Sequence, residues 1–158
     1  MKFQLFFLLV IQVYLLFGLE TRGNGKENLV DLGSVEGKTY FYNKEDRNWT
    51  ASRAYCQEQG MELATVDSAA QVEFLRLQYN STTFVAWYWI AARDAQLPRA
   101  LSWDATDEQV NDIEGIEWEI LLDDYKVCGA YASSSQKKFY MLECSYLTYV
   151  LCQISTNN

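Results

Sequence analysis

The chain has 158 residues, 49% of them hydrophobic, and carries 13 Lys and Arg against 21 Asp and Glu, a formal net charge of −8. That length suits one domain with a real core, and the acidic balance argues against nucleic acid or an anionic membrane as partner, since both call for clustered Lys and Arg. There is no histidine, so the Ser-His and Cys-His arrangements of nucleophilic catalysis are excluded.

Met1 and Lys2 precede an apolar run from Phe3 to Phe17, broken only by Gln4 and Gln12 and followed by the small residues Gly18 and Gly23. The run is shorter than the ~20 residues of a spanning helix and has the outline of a secretory signal peptide, assigned to residues 1–19. The expected product is extracellular and secreted, with no membrane insertion once the leader is removed. All four cysteines, Cys56, Cys128, Cys144 and Cys152, follow that leader. An even count in a secreted chain implies two disulfides, with three pairings open. Zinc is the competing use of cysteine, but the chain has neither histidine nor a Cys-x-x-Cys pair. Asn48-Trp49-Thr50 and Asn80-Ser81-Thr82 make Asn48 and Asn80 glycosylation candidates.

Residues 20–37, with Gly23, Gly25, Gly33 and Gly37 and little apolar periodicity, read as a flexible lead-in. Tyr40, Phe41 and Tyr42 begin an aromatic strand, and a polar turn leads to Asn48. The spacing of Ala51, Ala54, Tyr55 and Cys56 predicts a helix over Trp49–Gln59, with Asn48 as N-cap and Gly60 as its stop. Met61 to Val66 is a short extended link. Ser68-Ala69-Ala70-Gln71 has the capping-box pattern ahead of a second helix bearing Val72, Phe74, Leu75 and Leu77. Phe84 to Ala92, "FVAWYWIAA", has the apolar texture of a buried strand.

From Ala100 to Tyr125 the chain holds nine acids, Asp104, Asp107, Glu108, Asp112, Glu114, Glu117, Glu119, Asp123 and Asp124, with no Lys or Arg. Trp103 and Trp118 punctuate this stretch, which reads as a long acidic loop with aromatic anchors. Strand texture returns from Gly129 to Ile154. Within it, "KKFYMLECSYLTYVLCQI" (137–154) reads as a hairpin of two extended runs. Its second run is apolar on both faces, with Tyr146, Thr148, Val150 and Cys152 alternating with Leu147, Tyr149 and Leu151, as a central strand requires.

Together the aromatic "TYFYN", "NWTASRAYCQEQG", "MELATVDSAAQVEFL", "WYWIAARD", "LSWDATD" and the four cysteines, in that order, resemble the C-type lectin-like domain family over residues 38–154, with 155–158 as a tail. The Trp-Ile-Gly-Leu strand of that family is matched by Trp89-Ile90-Ala91-Ala92. The resemblance implies an α+β fold in which two helices pack on antiparallel sheets beside a long irregular loop. It also implies disulfides Cys56–Cys152 and Cys128–Cys144.

Sugar-binding members of the family hold calcium through carboxylates and amide carbonyls, as a hard cation demands. At the family's Asn-Asp pair, four and three residues before the third cysteine, this chain has Tyr140 and Met141. At the ligand carboxylate two residues before the second cysteine it has Lys126. The Glu-Pro-Asn or Gln-Pro-Asp motif is absent, Pro98 being the chain's one proline. The resemblance therefore implies a recognition module without the usual calcium ion and without another cofactor, binding a glycan or an extracellular protein. Its candidate ligand surface comprises Trp103, Trp118, Glu119, Asp123, Asp124, Lys126 and Tyr140, and the loop acids leave cationic partners open. The rival readings are a structural or oligomerising secreted protein and, less supported, carboxylate-pair catalysis, since loop acids are ordinarily just solvated. Intact-mass measurement of the extracellular product is expected to show the leader missing; recovery of Met1 there would refute the signal assignment.

Overall fold

A computed structural model of the chain describes residues 28–78, 86–96, 100–110, 117–120, 126–133 and 138–156. Residues 1–19, expected to be a leader, and Asn80, Pro98, Asp123 and Asp124 lie outside these residues. In chain order the elements are β1 (Val30–Val35), β2 (Lys38–Arg47), α1 (Trp49–Glu58), β3 (Glu62–Leu63), α2 (Ala69–Leu77), β4 (Trp87–Gln96), β5 (Ala100–Trp103), β6 (Trp118–Ile120), β7 (Val127–Ala132), β8 (Lys138–Glu143) and β9 (Thr148–Ser155). The strands join in one sheet of order β1-β2-β9-β4-β7-β8-β6, with β3 on β9 and β5 on β4. The class is α+β as expected; among the described pairings all are antiparallel except β4–β9 and β6–β8.

Both helices start where their caps predict. The Asn48 side chain accepts from the Ala51 N–H at 2.9 Å, and Gly60, at φ 71°, takes the left-handed conformation that closes α1. Trp49, Ser52 and Cys56 form the buried stripe of α1, and the Trp49 indole donates to the Ile90 carbonyl at 2.8 Å. Ser68 caps α2 by accepting from Gln71 N at 3.2 Å. Gln71 does not complete the reciprocal box at Ser68: its Oε1 accepts from Asp67 N at 3.0 Å.

Three expectations change. Val30–Val35, assigned to the lead-in, pair with β2 as strand β1; Gly33 at φ 100° accommodates the register shift, and Glu36 and Gly37, at φ 49° and 76°, make the tight turn. The sheet thus begins ahead of Lys38, and it runs into the expected tail, with Ser155 paired to Lys38. The acidic stretch is not loop throughout, since it contributes β5 and β6. Finally, β8 and β9 form no hairpin: β8 pairs with β7 and β6, whereas β9 lies between β2 and β4. The central-strand pattern of β9 holds from Thr148, with Val150, Leu151 and Cys152 fully buried, but Tyr146 and Leu147, expected in the same run, precede the strand and are exposed. The disulfides are Cys56–Cys152 and Cys128–Cys144, the pairing the resemblance implied.

A polar cluster ties β2, α2 and β9 beside the apolar core. Lys38 Nζ donates to Thr65 Oγ1 at 2.7 Å and to Asp67 Oδ2 at 2.5 Å. The Tyr40 hydroxyl donates to Thr65 O at 2.9 Å, and the Gln153 side chain accepts from Thr65 N at 2.8 Å. Burial works against ionisation of Asp67, but the Lys38 hydrogen bond and charge, with help from Gln71 and Thr65, outweigh it and hold the carboxyl below its ordinary 3.8. A depressed folded-state value contributes stability above the unfolded pKa that is lost as pH falls through the folded one. Asp67→Asn is expected to flatten the acid limb of the stability curve below about pH 4. The effect at neutral pH should stay under about 1 kcal/mol because Asp67 is half exposed. Urea titrations at a series of pH values check this; an unchanged acid limb would refute it.

Candidate ligand face

The middle of the sheet narrows at β7, whose Gly129, Ala130 and Ala132 leave room for large side chains of its neighbours. Trp87 on β4 is in register with Ala132, and Ala130 with Tyr140 on β8. The Trp87 and Tyr140 rings meet over these alanines, stacked at 4.9 Å with 13° between planes. Tyr146, in the turn after β8, leans toward Trp87 at 6.2 Å. Thr148 fixes the start of β4 by donating its hydroxyl to the Trp87 carbonyl at 2.6 Å. Tyr146 is 54% exposed and the adjacent Leu147 59%, whereas Tyr140 is only 8% exposed. Tyr140 is thus the buried backing of half-buried Trp87, and the aromatic shelf that opens to solvent is made by Trp87 and Tyr146 with Leu147 beside them.

Alternation along β8 puts Lys138 with Tyr140 and turns Phe139 the other way. Glu119 of β6 is in register with Tyr140 and accepts from Lys138 Nζ at 2.8 Å, which raises the Lys138 pKa above its usual value. On the opposite face Trp118 packs on Phe139 at 5.4 Å and Phe139 on Tyr131 at 5.2 Å. Gly129 permits that packing: a Cβ there would lie 2.6 Å from the Ala92 Cβ and 3.0 Å from the Trp118 ring.

Of the seven sequence-derived candidates, Asp123 and Asp124 lie outside the described residues, and the other five separate. Tyr140 and Glu119 share the shelf face, and Trp118 lies half-buried on the other. Trp103 is only 3% exposed and belongs to the core, so it offers no stacking surface. Lys126 is exposed, and its carbonyl accepts from Cys144 N at 3.2 Å. Asn48, the glycosylation candidate, uses its side-chain oxygen as the cap of α1, which leaves the amide nitrogen uncommitted by that bond. The acids of 100–125 are also less unbalanced than their segment suggests, because bases from elsewhere reach them. Asp104 accepts from Arg53 and, at 2.8 Å, from Arg93, which also reaches Asp107 at 2.8 Å. Trp87 and Tyr146 were not singled out by sequence. Alternation carries no signal for Trp87, since it places Trp87 on the face of Trp89, which is fully buried.

The sequence profile of the lectin C-type domain matches residues 45–154, and the chain belongs to the C-type lectin domain family. Among curated relatives, the C-type lectin domain family 2 member D5 of Rattus norvegicus is 30% identical over 79 residues, covering 50% of this chain and 32% of that protein. The chain thus spans about a third of that relative's length. Among solved structures, the Ca2+-independent C-type lectin SPL-2 from Saxidomus purpuratus is similar in fold, with TM-score 0.64, 20% identity and coverage of 84% of this chain and 94% of that one. So is the cow C-type carbohydrate-recognition domain of CD23, solved in the presence of a GlcNAc2Man3 oligosaccharide, with TM-score 0.63, 17% identity and coverage of 84% and 96%.

The described residues at the family's calcium addresses do not fit that ion. A hard cation takes six to eight oxygens, whereas Tyr140 has its ring committed to Trp87, Met141 offers a thioether and Lys126 a like charge. Among the described residues no three acidic or cysteine side chains are gathered as a metal group. Gly129→Ala is expected to destabilise the domain by about 1–3 kcal/mol, the usual cost of forcing volume into a packed site. Urea unfolding followed by tryptophan emission checks this, and an unchanged midpoint would show that β7 tolerates a side chain.

Proposed function

We propose that this chain is a secreted, non-catalytic recognition module that binds a glycan through the Trp87–Tyr146 shelf, which Tyr140 backs, without the family's calcium ion. The supporting observation is the replacement at Tyr140: where the family's ion-binding asparagine is expected, a buried aromatic ring is stacked on Trp87 at 4.9 Å and backs it beside Tyr146, which is 54% exposed. A pyranose has one face rich in C–H groups, which packs on the negative face of an aromatic ring and needs no metal. Lys138 and Glu119 at the rim supply a donor and an acceptor for ring hydroxyls. The Ca2+-independence that SPL-2 carries in its name supports this mode for the fold, and the apolar N-terminal run together with two disulfides supports an extracellular site of action.

An extracellular protein is the second ligand class, favoured by one specific feature. Exposed Tyr146 and Leu147 beside a charged rim have the composition of a small protein-binding hot spot. Binding of the secreted protein to a glycan array and an extracellular protein panel, with and without chelator, separates the readings. Ligand binding is expected to survive chelation and to weaken at least tenfold in Tyr146→Ala, a change of an exposed side chain that should leave thermal stability nearly unaltered. Trp87→Ala should weaken it further. Binding abolished by chelator, or indifferent to both substitutions, would overturn the shelf reading.

A further inference from the structure

A second concave feature shares no residue with the shelf. It is a cleft of about 240 Å³ between α1, β3, β4 and the turn after β5, lined by Arg53, Gln57, Glu62, Asp104 and the backbone about Ala91 and Ala105. Its walls are held by main-chain bonds, Ala91 N to Ala64 O at 2.8 Å and Asp104 N to Ala91 O at 2.9 Å. Its volume falls below the ~300–1,000 Å³ of drug-sized pockets and suits a single small ring.

The cleft has an oriented cation. Asp104 is mostly buried, its side chain 16% exposed, and accepts from the Nε of both Arg53 and Arg93. That fixes the plane of the Arg53 guanidinium while using only its Nε side. The Nη1–Nη2 edge meets no acceptor among the described residues, and the Arg53 side chain remains 43% exposed. A guanidinium presented this way takes a planar carboxylate through two parallel N–H···O bonds, with little orientational freedom left to lose. Arg93 is shared between Asp104 and Asp107, so the two arginines and two aspartates balance, and what Arg53 offers a ligand is the directed pair of Nη donors rather than net charge.

The rest of the lining narrows the ligand. Gln57 and Glu62 are exposed, and neither side chain meets a hydrogen-bond partner among the described residues. Glu62 repels added negative charge, which disfavours a phosphate dianion more than a single carboxylate, yet it is a strong acceptor for hydroxyl hydrogens. Gln57 can donate and accept. A ligand with one carboxylate and several hydroxyls on a compact ring satisfies all three side chains at once.

We propose that this cleft binds a carboxylate-bearing sugar residue, the Nη edge of Arg53 taking the carboxylate and Gln57 and Glu62 taking ring hydroxyls. The proposal extends the glycan reading to an acidic sugar at a separate place, and the two stand or fall on different side chains. The matched probes are methyl β-D-glucuronide and methyl β-D-glucoside, which differ only in carboxylate against hydroxymethyl, with acetate as a bare anion. Each is titrated into the full secreted protein by ligand-observed NMR.

The glucuronide is expected to bind with a Kd of about 1–10 mM, as a single bidentate contact at a half-exposed site allows. Glucoside and acetate should bind at least tenfold more weakly. Arg53→Gln should weaken the glucuronide at least tenfold, and Arg53→Lys by a similar factor although it keeps the charge. Arg93 still pairs Asp104 in both variants, and near-UV circular dichroism verifies that they are folded. Tyr146→Ala should leave glucuronide binding unchanged, so a failure here with the shelf ligand still bound removes the cleft proposal alone. Equal binding of glucoside, equal binding of acetate, or indifference to Arg53→Gln would each overturn it. So would tighter binding of an acetylated tripeptide with a free terminal carboxylate, which would reassign the cleft to chain ends.

Discussion

The insertion of β9 between β2 and β4 is the constraint on which the other placements depend. The last strand pairs antiparallel with β2 and β3 and parallel with β4, so the chain's end must return between its beginning and its middle before any of these edges is satisfied. Contacts of such long sequence separation carry a large loop-closure cost. Cys152 on β9 is bonded to Cys56 on α1 across a separation of 96, which in the chain-entropy picture offsets that cost by roughly 4–5 kcal/mol. The same bond sets α1 against the sheet and thereby sets Arg53 at its cleft. Thr148, the first residue of β9, holds the Trp87 carbonyl and so anchors the shelf. One strand therefore positions both candidate surfaces.

What the sequence made legible follows from how local each signal is. Helix caps depend on four or five consecutive residues, and Asn48, Gly60 and Ser68 did what their chemistry predicts. The apolar alternation of β9 likewise forecast a central strand. Strand partners are not local, which is why β8 and β9 look like a hairpin while β4 and β7 stand between them. Strand β1 escaped notice because its Gly33 bulge interrupts the two-residue period and its polar residues face solvent. The family resemblance supplied the disulfide pairing, which spacing alone left open.

The candidate site was legible only where side-chain direction follows from alternation. Tyr140 and Glu119 came together because β6 and β8 run in register. Trp103 looked like an anchor for a ligand but is in register with Ala92 and faces the core. The charge of the 100–125 segment was misjudged for the same reason: no base lies within it, but Arg53 comes from α1 and Arg93 from β4. A count of charges along the chain cannot see partners that the fold delivers from other elements.

Loss of an ion site need not mean loss of recognition, because the contribution of a bound cation can be replaced in two physically different ways. An ion offers strong, directional attraction to hydroxyl pairs; an aromatic shelf offers area and a weak quadrupole field, which salt scarcely screens. A half-exposed guanidinium offers charge and a planar fork, and ionic strength does weaken it. Here the two are separated: Trp87, backed by buried Tyr140, lies over β7, and Arg53 lies beside β3. The scaffold keeps them independent, since β7 can be small-residued without affecting α1, and the Asp104 bracket is satisfied without reference to Tyr140. If both proposed surfaces bind, a domain so built would discriminate ligands by ring face at one place and by a carboxylate at the other, and neither chemistry calls for calcium.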